Sequence, residues 1–255
     1  MSAALEPLFA NVLLLSCLWI YCLWRGDVSL IDLVWPLLFA LAAWIWFQPS
    51  QADWRQWLLL ALIMTWSARL HLYLARRNLG EGEDRRYQSL RQKYAPGFWW
   101  KSYFLVFMLQ GLLGWIVSLA IYGAFHSSPS LPLWLAALGI ALFGLIFESV
   151  ADFQLARFKA NSDNRGEVMD GGLWGLSRHP NYFGECCFWW GIGLMALPDY
   201  AWTLVSPLVI TLLLLKVSGV TMLEKDISER RPAYRRYIQS TPAFLPAFRK
   251  QKGGA

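Results

Sequence analysis

The chain alternates long apolar runs with short polar segments. A membrane helix needs about 20 mostly apolar residues to cross a hydrocarbon core about 30 Å thick. Runs of this kind lie at Leu8–Trp24, Leu30–Phe47, Trp57–Leu74, Tyr103–Phe125 and Leu131–Val150. A longer run, Gly184–Leu223, is divided by Pro198 and Asp199 and therefore predicts two further spans. The pattern predicts an all-α integral membrane protein of about seven transmembrane helices, folded as a single membrane domain over residues 1–255.

The composition supports this fold class. Hydrophobic residues make up 56% of the chain, with 16 tryptophans, which is above the usage of soluble proteins. The four cysteines lie in or beside apolar segments and lack the spacing of metal ligands. We therefore expect neither a disulfide nor a metal site.

The basic residues predict the orientation of the chain in the membrane. Lys and Arg concentrate in residues 76–101, in residues 157–178 and in the segment from Lys225 onward, whereas the alternate loops contain only Arg55. Because basic residues accumulate in cytoplasmic loops, we expect the amino terminus outside and the carboxyl terminus in the cytoplasm. The net charge of +6 would then face anionic lipid headgroups. This distribution favours the lipid bilayer, not nucleic acid, as a partner.

Ionisable residues occur at the ends of the apolar runs that we predict to be cytoplasmic. Such residues are costly in lipid and usually face a protein interior or a wet cavity. Helical spacing places Trp66, Arg69 and Tyr73 on one face, and Glu148 and Asp152 on another. We expect a charged cavity on the cytoplasmic side, with internal ion pairs between helices as the alternative. The residues concerned are Asp32, Arg69, Glu148, Asp152, Glu185, Lys216 and Glu224.

The segment "GGLWGLSRHPNYFGE" (171–185) combines a glycine turn with charged residues before an apolar run. Pro180 suits the first turn of a helix and disfavours helix at the residue before it. A helix amino terminus carries unpaired N–H groups and partial positive charge, which suit an anionic ligand group. The segment therefore predicts a site for a phosphorylated cofactor, and an ordinary helix cap is the alternative.

Taken in order, several blocks resemble the membrane steroid 5-alpha-reductase and sterol C14-reductase superfamily, and most closely its bacterial branch DUF1295. The blocks are "IDLVWP" (31–36), "WSARLHLYLARR" (66–77), "ESVADFQLARFK" (148–159), "LWGLSRHPNYFGE" (173–185) and "EKDISERRPAYRRYIQSTPAFLP" (224–246). The resemblance implies a multi-pass protein of the bacterial inner membrane. It also implies that NADPH enters from the cytoplasm and reduces an activated carbon–carbon double bond in a lipophilic substrate.

The resemblance implies roles for individual residues, with the cofactor-binding half at about 140–250. Asp152, Asn181 and Glu185 match residues that hold the nicotinamide and ribose, and Arg69 matches a cofactor-binding arginine. By charge and location, Arg157, Arg165 and Arg178 are candidate phosphate partners. The same blocks suggest cofactor contacts for Trp174, His179, Tyr182, Glu224 and Tyr234. No GxGxxG fingerprint is present, so we do not expect a Rossmann domain.

The substrate side departs from the steroid reductases. Their glutamate and tyrosine, which engage the substrate ketone, are matched here by Asp32 and Trp66. Trp can donate a hydrogen bond but cannot serve as a proton acid, so Tyr73 is a candidate substitute. A protonated Asp32 would stabilise the negative charge that develops on a substrate oxygen.

Two other functions stay open. Isoprenylcysteine carboxyl and phospholipid methyltransferases also carry an "RHPxY" stretch and a C-terminal "E…Y…Y…P.F.P" pattern, which here involve Arg178–Tyr182, Glu224, Tyr234, Tyr237 and Pro246. Glu185 and the "ADFQ" block favour the reductase over a protein that uses S-adenosylmethionine. A transporter is the third alternative, although the one-sided polar residues and the lack of internal symmetry argue against it. The sequence does not select a substrate class, NADPH over NADH, or an oligomeric state.

Overall fold

The computed structural model describes residues 2–217, 224 and 234–247, and every regular element within them is helical. Short 3-10 turns and two π-helical segments join or extend the α-helices. The α-helices are α1 (Ser2–Arg25), α2 (Ile31–Trp46), α3 (Trp54–Asn78), α4 (Arg85–Lys93), α5 (Phe98–Ser102), α6 (Leu109–His126), α7 (Leu131–Ala160), α8 (Pro180–Met195), α9 (Val205–Leu212) and α10 (Tyr234–Ser240).

Five stretches of helix in the described part of the chain are long and apolar enough to cross a membrane. They correspond to the first five predicted runs, so a multi-pass membrane protein is confirmed. α8 has 16 residues, and the apolar stretch Ala201–Lys216 is of similar length, so both are shorter than a typical span. Residues 218–223 of the last predicted run lie outside the described residues. The count of seven spans and the orientation remain predictions.

One compact unit comprises Met1–Ser128 and Pro198–Thr203. Within it α2 packs against α3 and α6, and α1 packs against α6. The capping box of Asp53 and Gln56 starts α3 by satisfying backbone N–H groups that the helix leaves unpaired. A π-helical segment, Tyr103–Met108, precedes α6. The interior is apolar, with Leu15, Ile31, Leu38, Phe39, Ile63 and Phe107 fully buried.

The other compact unit comprises Pro129–Leu197 and Leu204–Ala255. Its centre is the α7–α8 pair, in which the two backbones touch because glycines face each other. A Cβ atom at Gly144 would lie 2.3 Å from the backbone nitrogen of Phe188, and one at Gly184 would lie 2.5 Å from that of Glu148. Real Cβ atoms do not approach so closely. Only glycine therefore permits this packing, which places the polar end of α7 beside the start of α8. Most of the predicted cofactor-binding half belongs to this unit.

Candidate functional site

Two of the sequence motifs meet where α7 packs on α8. The side-chain Nδ2 of Asn181, in the first turn of α8, donates a hydrogen bond of 3.2 Å to Oδ1 of Asp152 on α7. Three carboxylates are buried on the same pair of helices, with exposed fractions of 2% for Glu148, 3% for Asp152 and 8% for Glu185. The structure therefore brings together the "ADFQ" and "NYFGE" residues, which are 29 positions apart for the bonded pair.

The His-Pro loop, residues 171–179, crosses from a glycine turn to the start of α8. Gly172 has φ +59°, a conformation that favours glycine, and begins a single 3-10 turn. α7 holds this turn through Gln154, whose Oε1 accepts a bond of 3.0 Å from the backbone N–H of Leu173. The Trp174 indole donates a bond of 3.0 Å to the carbonyl of Ala151. The predicted cofactor contact of Trp174 would thus involve an indole that is already anchored on α7.

Arg178 binds the C-terminal part of the chain. Its Nε and Nη2 donate to the two carboxylate oxygens of Glu224 at 2.7 and 2.8 Å. Its Nη1 donates to the carbonyls of Ile238 and Thr241 at 3.1 and 2.6 Å. These bonds use four of the five N–H donors of a guanidinium. Arg178 is thus engaged with groups of this chain, and its assignment to a cofactor phosphate stays a prediction.

Glu224 joins the loop to the C-terminal segment as an ionised carboxylate. His179 Nε2 lies 2.9 Å from the same Oε1 that Arg178 binds. Burial raises the pKa of Glu224, but the hydrogen bonds from His179 and Arg178 outweigh burial and lower it to about 2. Burial, and after it the charge of Glu224, raises the pKa of Tyr234 to about 12. The imidazole of His179 also stacks on Tyr182, with ring centroids 5.5 Å apart. Glu224 thus contacts His179 directly, and Tyr234 lies close enough to Glu224 to respond to its charge.

The other two candidate phosphate partners are placed differently. Arg157 lies in the last turn of α7 and is exposed, and Arg165 follows a 3-10 turn and is also exposed. Exposed guanidinium groups at the end of α7 retain the chemistry that a phosphate needs. Their predicted role stays compatible with the structure.

In the first unit, Asp32 is part of a cluster that was not anticipated. Its Oδ2 accepts a bond of 2.6 Å from Nη2 of Arg86, and its Oδ1 accepts one of 2.6 Å from the phenol of Tyr87. The amide of Gln110 donates to the same phenol at 3.1 Å. Two side chains of α4 therefore donate to Asp32, and its role as a protonated donor stays a prediction.

Tyr87 is the residue that sequence reasoning missed. It lies in a polar segment of the loop after α3, and only 6% of its surface is exposed. Burial, followed by the charge of Asp32 and the hydrogen bond to it, raises the pKa of Tyr87 well above its usual value. The only sequence signal was a lone tyrosine among charged residues, which does not identify a partner 55 positions away.

The remaining predicted residues of this unit lie along α3. Trp66 has no exposed surface and packs edge to face on Phe39, with ring centroids 5.6 Å apart. This geometry is that of a core residue, and the predicted contact of Trp66 with substrate stays a prediction. Arg69 is partly buried, and Tyr73 is partly buried with the guanidinium of Arg77 over its ring.

A cavity of about 220 Å³ in the first unit lies away from all these residues. It is formed where α2 ends, α3 begins and α6 ends, on the side that the charge pattern predicts to be outside. None of its lining residues was predicted to belong to the site. They are Trp46, Phe47, Gln48, Gln51, Gln56, Phe125 and His126.

Comparison with known proteins gives one match. No curated protein and no solved structure matches the chain. The model of a family described as "Protein of unknown function (DUF1295)" matches residues 18–241. This match extends from the middle of α1 to the residue after α10, so it includes every predicted site residue. The chain therefore belongs to the DUF1295 family.

Proposed function

We propose that this protein is a membrane oxidoreductase that uses NADPH to reduce an activated carbon–carbon double bond in a lipophilic substrate. The observation that carries the proposal is the hydrogen bond between Asn181 and Asp152. The resemblance to the steroid reductases implies that these residues hold the nicotinamide and ribose. Their contact across the tightly packed α7–α8 pair supports a joint role in one site.

The residues present fit such a cofactor chemically. A carboxylate accepts hydrogen bonds from ribose hydroxyls, and an amide both donates to and accepts from a carboxamide. Asp152, Asn181 and Glu185 would supply these groups, and the exposed Arg157 and Arg165 would bind phosphate. When bound, NADPH supplies a hydride, while the protein contributes binding, orientation and electrostatics.

On the substrate side, we propose that Tyr87 takes the donor role first expected for Asp32. Asp32 accepts the single phenol proton of Tyr87 and so orients the side chain. The raised pKa keeps this phenol protonated, so a substrate oxygen that takes the place of Asp32 as acceptor would receive the hydrogen bond as negative charge develops on it. Arg86 keeps the neighbouring carboxylate in place. This assignment replaces Trp66, which the core encloses.

A methyltransferase that uses S-adenosylmethionine is the second candidate. The observation that favours it is the engagement of Arg178 with Glu224 and the C-terminal carbonyls. This engagement occupies one of three arginines that we expected to bind phosphate, and S-adenosylmethionine has no phosphate. Glu185 and the Asp152–Asn181 contact favour the reductase, which we therefore place first.

The test is cofactor binding by the purified full chain in detergent. NADPH, NADH and S-adenosylmethionine are titrated separately against the wild type, Asn181→Ala and Glu185→Ala. Glu81→Ala is the matched control for Glu185→Ala, because Glu81 is exposed and lies outside the site. We expect the wild type and the control to bind NADPH and both site variants to lose it. Binding of S-adenosylmethionine alone would establish the methyltransferase, and binding of none would favour the transporter.

A further inference from the structure

The C-terminal segment lies against the His-Pro loop through backbone hydrogen bonds. The N–H of Arg178 donates to the carbonyl of Pro242 at 2.9 Å, and the N–H of Ala247 donates to that of Leu176 at 3.0 Å. The hydroxyl of Ser177 donates to the carbonyl of Phe244 at 2.8 Å. We call residues 234–247 the C-terminal brace. Its contacts run along the loop from Trp174 to Arg178 and involve the loop backbone.

Tyr237 makes the most enclosed of these contacts. Its phenol donates to the carbonyl of Trp174 at 2.5 Å and also lies 3.3 Å from the carbonyl of Ser177. The side chain is 4% exposed, and burial is the main cause that raises its pKa well above the usual value. The hydroxyl therefore stays protonated and serves as a fixed donor. Without it, two buried carbonyls of the loop would lose their side-chain donor.

The loop needs such support because of its own composition. Gly171, Gly172 and Gly175 leave its backbone freer than other residues would, and ordering glycine costs more conformational entropy. α7 fixes the start of the loop through Gln154 and Ala151. From Trp174 onward, the brace and Glu224 hold the loop.

We propose that the C-terminal brace is part of the cofactor site and that Tyr237 is a positioning residue for it. The brace sets the path of the His-Pro loop, and this path determines where His179 lies and where α8 begins, at Pro180, one residue before Asn181. Tyr237 acts through the loop and does not contact the cofactor. This inference rests on the proposed function for the identity of the ligand, but the ordering of the loop can be measured without any ligand.

The first experiment measures amide hydrogen exchange in the purified full chain without cofactor, for the wild type, Tyr237→Phe and Ser240→Ala. Ser240 is the matched control, because among the described residues its hydroxyl bonds to the Tyr237 carbonyl of its own helix and to neighbouring Thr241, and not to the loop. In Tyr237→Phe we expect exchange of amides 174–179 to rise about tenfold, the equivalent of about 1.4 kcal/mol from a lost buried hydrogen bond. Exchange in the middle of α7 should not change. Unchanged loop exchange, or an equal rise throughout α7, would overturn the proposal.

The second experiment titrates NADPH and then measures turnover with a substrate found by screening. A positioning role predicts that Tyr237→Phe weakens NADPH binding and raises its KM about tenfold, with kcat at saturating NADPH unchanged. Equal affinities of Tyr237→Phe and the wild type would overturn the positioning role. If the wild type itself binds no NADPH, the proposed function fails, while the exchange experiment still decides whether the brace orders the loop.

Discussion

The two compact units each contain an arginine–carboxylate pair beside a buried tyrosine, but the pairs are connected differently. In the first unit, Arg86 and Tyr87 both bind the side chain of Asp32. In the second unit, Arg178 binds Glu224 and also two backbone carbonyls, and Tyr237 binds backbone carbonyls. The first cluster therefore attaches the short helix α4 to the side chain of Asp32. The second cluster instead determines the backbone path of the His-Pro loop and of the C-terminal brace.

The two arginines also differ in how far their side chains are buried. The side chain of Arg86 is 30% exposed, but that of Arg178 is 9% exposed. Ion pairs in contact with water contribute little to stability, whereas breaking a buried pair leaves an uncompensated charge. The comparison predicts that changes at Arg178 destabilise the fold more than changes at Asp32.

The largest expected effect comes from the helix packing that supports the second cluster. In Gly144→Ala, the new Cβ would lie 2.3 Å from the Phe188 backbone, which cannot move aside. In Gly111→Ala, the equivalent atom of the first unit would lie 3.0 Å from Cδ1 of Leu15, the end of a flexible side chain. We expect a loss of about 3 kcal/mol or more for Gly144→Ala and about 1 kcal/mol or less for Gly111→Ala. Thermal unfolding in detergent measures both, and equal losses would contradict the packing argument.

The next effect separates the two arginines directly. Lysine keeps the charge but lacks the planar fork, so Arg178→Lys cannot bind both carboxylate oxygens and two carbonyls at once. We expect Arg178→Lys to cost about 2–3 kcal/mol and Arg86→Lys to cost about 1 kcal/mol or less. The measurement is the melting temperature of each variant in the same detergent. A larger loss for Arg86→Lys would reverse the comparison.

A smaller effect is expected from acid. The pKa of Glu224 is about 2 in the folded chain, below its ordinary value of 4.5, so the native state favours the ionised carboxylate. The resulting stabilisation is fully present above pH 4.5 and is lost as the pH falls toward about 2. Thermal unfolding followed over this range should show a steeper decline for the wild type than for Glu224→Gln. The stability of Glu81→Gln, a change at an exposed position, should decline with falling pH as that of the wild type does. Equal declines for all three proteins would show that the ionisation of Glu224 does not contribute to stability.

The smallest effect on folding is expected at Asp32. Asp32→Asn keeps the shape of the side chain but loses the ion pair with Arg86, which we expect to cost about 1 kcal/mol or less. If Asp32 orients Tyr87 toward substrate, turnover should fall about 100-fold in Asp32→Asn and in Tyr87→Phe, while NADPH affinity stays unchanged. Steady-state kinetics with a parallel binding titration checks this. Full turnover in Asp32→Asn would remove Asp32 from the mechanism.

The apolar pattern predicted the membrane helices because length and hydropathy are local properties of the chain. It also placed Asp152, Asn181 and Glu185 near one another, since all three lie at ends of adjacent apolar runs. The apolar pattern could not predict the close packing of α7 against α8. It depends on which glycines face each other, and helical spacing alone does not identify the partner helix.

The sequence did not reveal the partners of Arg178 and Asp32, and the physical reason is the same for both. A charged residue indicates that an opposite charge lies nearby, but sequence does not say whether that charge belongs to a ligand or to the chain. Arg178 finds its carboxylate 46 positions away, and Asp32 finds its guanidinium 54 positions away. Such distant pairs have no periodicity that would reveal them. Tyr87 was missed for the same reason.

α7 is longer than the hydrocarbon core of a membrane is thick. Its 30 residues rise about 45 Å at 1.5 Å per residue, whereas the hydrocarbon core measures about 30 Å. If Leu131 lies at one surface of that core, Asp152 lies at the opposite surface, and Arg157 projects into the water beyond it. A water-soluble ligand could then reach the polar end of α7 without entering lipid, while a lipid-soluble molecule approaches from the side. The thickness of the host bilayer would thus decide whether Asp152 is accessible from water, because lipids with longer acyl chains would submerge this residue.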